Sequence, residues 1–312
     1  MSKIDRVLRS NLKLRHLQLL VALDQFRHLG RAAEFLAVTQ PAVSKTLAEI
    51  ERMLDMTLFE RSTRGTEPTA AGVSMVRFAR SVLAGFERTR DEMAAEASGT
   101  RGRTSVGAMV VATPVLLARA VEQLKARSAQ TTVLVEEGDL TRLLPKLRMG
   151  ELDLFVGRLE PGYASPDLET EALYDEPMVA VVCPGHALLA QPASWQALAD
   201  MPCVMPPPWA SLRVKLEQQF FAHGLHPPAD LVESASFLSQ ISFLHQRGAV
   251  AFMARGVAEH FAQQGLVAVL DLPVPIDLPP VGLITLRGQP MTATTRLLVE
   301  CLRAVGNGLA SR

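Results

Sequence analysis

Gln40, Ser44 and Lys45 are hydrogen-bonding side chains spaced to share one helical face. At helical periodicity Val43, Leu47, Ile50 and Leu54 form an apolar stripe, while Pro41, Ser44, Lys45, Ala48 and Arg52 point the other way. An amide such as Gln40 can bond adenine through two atoms, a hydroxyl can take a base edge or a phosphate, and an ammonium group can reach guanine or phosphate. Ala42 and Ala48 leave room for a close backbone approach, and a helix start offers N–H groups to phosphate. Thr39 is a good N-cap and Pro41 suits a first helical turn. The chemistry on offer is that of a helix lying in a major groove.

The elements around this helix must hold it there. A preceding helix, roughly residues 29–37, carries Leu29, Ala32, Ala33 and Leu36 on one side, and its two alanines permit a close crossing. "VTQP" separates the two helices in the layout of a helix-turn-helix. On these residues alone, an ordinary helical hairpin with a solvated polar face is also open. The flanks favour the first reading. "LRHLQLLVALDQF" places Leu14, Leu17, Leu20 and Val21 on one face of a third helix. "LFERSTRGTEPTAAG" sets Arg61 and Arg64 around Gly65 between two short extended pieces, a wing whose arginines can enter a minor groove. Residues 1–90 hold 15 Lys and Arg against 9 Asp and Glu, a net of +6, and the other 222 residues balance it at −6. A basic module on an acidic body suggests a polyanion partner at one end.

"QPAVSKTLAEIERMLDMTLFERSTRGTEPTAAG" resembles the signature of the LysR-type transcriptional regulators: Gln-Pro-Ala-x-Ser, an apolar-x-x-Glu segment, Leu-Phe-x-Arg, then Arg and Thr-x-x-Gly. Pro68 departs from it, standing where an apolar residue often precedes the threonine. The resemblance implies DNA contact by Thr39, Gln40, Pro41, Ser44 and Lys45 of a recognition helix and by Arg61 and Arg64 of a wing, with a winged helix-turn-helix domain over 10–68. "LRHLQLL", "VGRL" and "PVGLITLR" look most like the branch of protocatechuate and galactose-binding-protein regulators.

Residues 69–97 contain no proline, and Gly72, Val76, Ala79, Leu83, Phe86, Arg90 and Met93 alternate in steps of four and three. That is a heptad seam; a lone amphipathic helix packed on its own domain is also open, but the regularity of the seam and its place after a DNA-binding module favour pairing with a second copy. In the family it is the linker helix, so the resemblance implies a homodimer or homotetramer. "ASGTRGRT" then ends the helix.

From residue 103 short apolar strands alternate with helices, which argues a parallel sheet covered on both faces. The fold class expected is α/β, and the resemblance implies the winged head, the linker helix and an effector domain of two Rossmann-like halves, as in periplasmic binding proteins. One half covers 104–167 and 276–312, the other 168–275. The crossovers are expected near 160–170, at "EPGYASPD", and near 272–280, at "LPVPIDLPP". In such sheets ligands sit at the carboxyl ends of strands. The strand-end loops supply Ala112, Thr113, Asp139, Arg158, Trp209, Ser211, Phe237 and Met253 as effector-binding candidates, with core packing or ordinary helix capping equally open for each. Arg158 and free helix-start N–H groups suit a carboxylate, and Trp209 and Phe237 offer flat apolar walls.

Other classes fit poorly. There is no G-x-G-x-x-G after a strand, no G-x-x-x-x-G-K-[ST], no H-E-x-x-H and no G-x-S-x-G, so no enzyme is expected. His223 and His226 in "HGLH" are a weak metal hint, and Cys183, Cys203 and Cys301 have no ligand spacing, so neither metal nor cofactor is expected. The N-terminus lacks the apolar run of a signal peptide, which predicts a cytoplasmic protein without membrane spans. The expected partners are double-stranded operator DNA, a small-molecule effector of the carboxylic acid class, a second copy of the chain and RNA polymerase.

Overall fold

A computed structural model of the protein describes residues 3–62, 65–98, 102–208 and 210–311. It forms two compact units, one of residues 1–105 with 130–134 and 141–153, the other of the remainder.

The first unit begins with α1 (Lys3–Arg6) and a π-helical turn (Val7–Asn11). There follow α2 (Leu14–Phe26), α3 (Leu29–Phe35), α4 (Gln40–Leu54), the hairpin β1 (Phe59–Ser62) and β2 (Gly65–Pro68), and α5 (Ala70–Ser98). Thr39 caps α4, its hydroxyl oxygen accepting from the Ala42 N–H at 3.4 Å. Leu20 and Leu23 of α2, Ala32 and Ala33 of α3, and Val43 and Ile50 of α4 are all buried in one core. Val7 joins it, so the head starts before residue 10. The seam on α5 is divided. Val76 and Ala79 pack into that same core because α2 lies along the helix, and Leu83 is half-buried beside them. Phe86 and Met93, by contrast, are 50% and 66% exposed.

Charges run through this unit in alternation. Arg27 bonds both Glu67 of the wing and Asp24. Asp24 also takes Arg80 at 3.1 Å, and Arg80 reaches Glu151 at 3.3 Å. Arg88 donates to the Gly150 carbonyl at 3.2 Å.

His16 lies in the head's core. Its Nδ1 accepts from the Lys13 N–H at 3.3 Å, which puts the neutral ring's proton on Nε2, and Nε2 is buried with no partner among the described residues. Burial holds its pKa below the ordinary 6.5; Glu49 pulls it up, and Arg15 and Lys13 push it further down. The unfolded chain therefore takes up the proton first, and stability is lost as pH falls through the ordinary value and below. The melting temperature of the head is expected to drop between pH 7 and pH 5, and His16→Leu to flatten that part of the profile. An identical slope in the variant would contradict this account of His16.

The rest of the chain builds two five-stranded sheets. β3 (Arg103–Ala108) leads through a π-helical turn (Thr113–Leu117) into α6 (Ala118–Arg127); β4 (Thr132–Glu137), α7 (Leu140–Arg148), β5 (Leu154–Arg158) and β6 (Leu168–Tyr174) follow. Next come β7 (Met178–Val182), α8 (Trp195–Ala199), β8 (Cys203–Met205), α9 (Ser211–Ala222), β9 (Leu231–Glu233), α10 (Phe237–Arg247), β10 (Val250–Ala254), α11 (Arg255–Gln263) and β11 (Ala268–Val269). β12 (Val281–Leu286) and α12 (Ala293–Ala310) end the chain. The strand orders are β4-β3-β5-β12-β6 and β11-β7-β10-β8-β9.

Two expectations change. The sheets are mixed, because a chain that crosses over and returns must run backwards: β12 is antiparallel to β5 and β6, and β10 to β7. The first crossover is 175–177, not 160–170, because β6 pairs with β12 and belongs to the first sheet. The half expected to begin at residue 168 thus begins after Tyr174. No helix among the described residues is long and apolar enough to cross a membrane.

Candidate functional site

The candidate recognition surface is assembled by α3, α4 and the hairpin. Thr39, Gln40, Pro41, Ala42, Lys45, Ala48 and Arg52 are exposed, Ser44 is half-buried, and the apolar stripe faces inward. Glu51 reaches from α4 to the hairpin, its Oε1 accepting from the N–H groups of Leu58 at 2.7 Å and Phe59 at 3.1 Å. From the other side the Thr66 N–H donates to the Arg27 carbonyl at 2.9 Å. Gly65, at φ +128°, passes so close that a Cβ would lie 2.6 Å from that carbonyl oxygen. The wing is therefore held against the helix pair at both ends. Arg61 lies on β1, while Arg64 is outside the described residues, as is Trp209.

One residue here escaped the sequence reading. His28 caps α3, its Nδ1 accepting from Gly30 N–H at 3.1 Å and Arg31 N–H at 3.3 Å. Histidine is not among the strongly preferred caps, so no sequence signal marked it.

The effector-binding candidates are distributed more widely than expected. Arg158 is the main correction. Its guanidinium is buried, and it donates to the Glu176 carbonyl at 2.7 Å and the Pro279 carbonyl at 2.9 Å, one on each crossover. It ties the two connections together where it was expected to face a ligand. Burial pulls its pKa below the ordinary arginine value, against the opposing pull of Glu176 and Glu160. Glu176 turns its carboxylate to the Gly256 N–H at the start of α11, at 3.0 Å; burial raises its pKa, while that hydrogen bond and Arg158 restrain the rise. The Tyr174 hydroxyl is buried beside this cluster with no partner among the described residues, and burial pushes its pKa up.

Ala112 and Met253 are buried, Met253 within the core of the second sheet. Phe237 is half-buried, its ring 4.5 Å from that of Phe261. Thr113 is half-buried, its hydroxyl donating to the Met109 carbonyl at 3.1 Å. Asp139 and Ser211 are exposed. The Ser211 hydroxyl donates to Glu160 at 3.2 Å. His223 stacks on Trp195 at 5.2 Å and bonds the Gln219 carbonyl, while His226 meets the edge of Phe221. The pair takes part in aromatic packing. Among the described residues no group of His, Cys, Asp and Glu could hold a metal ion.

Residues 97–307 match the model of the LysR substrate binding domain, and residues 14–73 that of the bacterial regulatory helix-turn-helix protein, lysR family. The chain belongs to the LysR family of transcriptional regulators. This LysR regulator is 32% identical over 304 residues to the HTH-type transcriptional regulator GbpR of Azospirillum brasilense, covering 96% of this chain and 88% of that protein. It is 29% identical over 299 residues to PcaQ of Agrobacterium fabrum (strain C58 / ATCC 33970), covering 96% of each. Its fold is similar to that of full-length CbnR complexed with its target DNA, at a TM-score of 0.71 and 19% identity over 94% of this chain and 100% of that one. It is a DNA-binding regulator with an effector-binding domain, and the family's members are regulators, not enzymes.

Proposed function

We propose that this LysR regulator reads operator DNA with Thr39, Gln40, Pro41, Ser44 and Lys45 in the major groove and Arg61 and Arg64 in the flanking minor groove. In this reading it acts in the cytoplasm as a homodimer or homotetramer, through RNA polymerase, under control of a small carboxylic acid. The observation that carries the DNA reading is the outward face of α4, which is polar or small at every exposed position and capped by Thr39. Lys45→Ala is expected to weaken binding to the native promoter by roughly 1–3 kcal/mol and to relax specificity. Gel-shift affinity equal to wild type would remove the assignment.

Two helix starts support an acid as effector. Ala112, before the π-helical turn that leads into α6, and Ala210, before α9, give no side-chain cap, whereas Ser236 caps α10. Helix starts without a side-chain cap, following β3 and β8, favour an anion there. The exposed Phe78, Phe86 and Met93 on α5 favour a second copy of the chain. An acid present at about 100 times its Kd is expected to stabilise the protein by roughly 2.7 kcal/mol, read as a raised melting temperature in a screen of aromatic, sugar and dicarboxylic acids. Stabilisation by uncharged or cationic compounds alone would sink the acid assignment.

A further inference from the structure

His28 Nδ1 is consumed by the N–H groups of Gly30 and Arg31. A nitrogen that accepts carries no proton, so the neutral ring holds its N–H at Nε2. The side chain is exposed, and the hydrogen bonds it makes among the described residues, from Gly30 and Arg31, both end on Nδ1. The cap also occupies the Gly30 and Arg31 amides at the start of α3, so these two are not left for an anion. What replaces them is a single donor on an exposed ring that two hydrogen bonds keep from turning.

The position of that donor is informative. A Cβ built on Gly30 would lie 3.1 Å from His28 Cε1, the atom bonded to Nε2, and 3.8 Å from Gln40 Oε1. The ring and the Gln40 amide therefore flank the same glycine. In helix-turn-helix proteins the first helix crosses the sugar-phosphate backbone while the second enters the groove. Donors beside the reading residues set register on the duplex without reading a base.

We propose that His28 binds a DNA phosphate through Nε2–H and thereby sets the register in which Gln40 meets its base. This rests on the reading of α4 as the recognition helix. The contact is neutral, which separates it from that of Lys45. Removing a cationic phosphate contact lowers the salt dependence of binding by about 0.9 in d log K/d log[salt], whereas removing a neutral donor releases no counterion and leaves the slope unchanged.

His28→Ser tests this, because a serine oxygen caps a helix as well while offering no donor at the place of Nε2. The operator is the one recovered with the wild-type protein from genomic DNA. Affinity is expected to fall about three- to tenfold with an unchanged salt slope and an unchanged melting temperature, in line with loss of a single hydrogen bond. Replacing the operator phosphates one at a time by neutral methylphosphonates should reveal one position that weakens wild type and leaves His28→Ser unaffected. His28→Asn, also a good cap, serves in its place if the serine variant melts early. Wild-type affinity in the capped variant, a salt slope reduced by about one, or additive effects at every phosphate would each overturn the proposal. If Lys45→Ala also binds like wild type, the reading of α4 has failed as well; if only His28→Ser does, the fault lies with His28 alone.

Discussion

Gly72→Ala is expected to destabilise the DNA-binding head by about 3 kcal/mol and to weaken operator binding more than tenfold, the largest effect of a single methyl group in the head. A Cβ at this position would lie 2.0 Å from the Leu58 carbonyl oxygen and 3.1 Å from Pro68 Cβ. The helix cannot simply move away. The same carbonyl accepts from the Thr69 N–H at 2.9 Å, and the Thr69 hydroxyl donates to the Thr57 carbonyl at 2.8 Å while accepting from the Gly72 N–H at 3.0 Å. Making room for the methyl breaks part of this set and shifts the strand that begins the wing. Calorimetry should show a melting temperature lower by roughly 15 °C for a unit of this size. A variant that melts with wild type would show that α5 and the hairpin do not cross so closely.

Arg158→Met is expected to cost the effector domain about 3 kcal/mol. Two charge-assisted hydrogen bonds disappear, and the carbonyls of Glu176 and Pro279 lose their donor in a buried place. Relief of the desolvation that depresses the arginine pKa returns part of the loss. The variant separates two roles. An arginine that ties the crossovers lowers stability in the absence of any ligand, seen as an earlier urea midpoint and faster hydrogen exchange at Leu159, whose N–H donates to Pro280. An arginine that served only to bind an acid would leave the ligand-free midpoint where it is and abolish the response to acids. The first pattern is the one expected.

What the sequence made legible was local. The Thr39 cap, the apolar stripe of α4 and the Thr69-x-x-Gly72 pattern each act within a few residues, and each has its partner in the structure. Glu51 was legible as part of a motif; its work, holding two N–H groups seven and eight residues on, was not. β6 was missed because only Leu168 and Tyr174 of its seven residues are buried, so an edge strand carrying Glu169 and Glu171 reads as loop. With β6 went the crossover. Arg158 was read as a ligand group because it ends a strand, but its partners lie 18 and 121 residues away, beyond any periodicity. The α5 seam was a true apolar stripe, yet a stripe does not say whether its own domain or a second chain will cover it.

The most direct test of the account is the selection of genomic fragments by the purified full-length protein, run beside the Gln40→Ala/Lys45→Ala variant. The account predicts that wild type enriches a sequence with two related half-sites whose centres lie about 10 base pairs, or a multiple of that, apart. It predicts that the variant, folded to the same melting temperature, enriches no such sequence. Enrichment of the same sites by both proteins, or no sequence enrichment by wild type, would contradict the claim that α4 reads the operator.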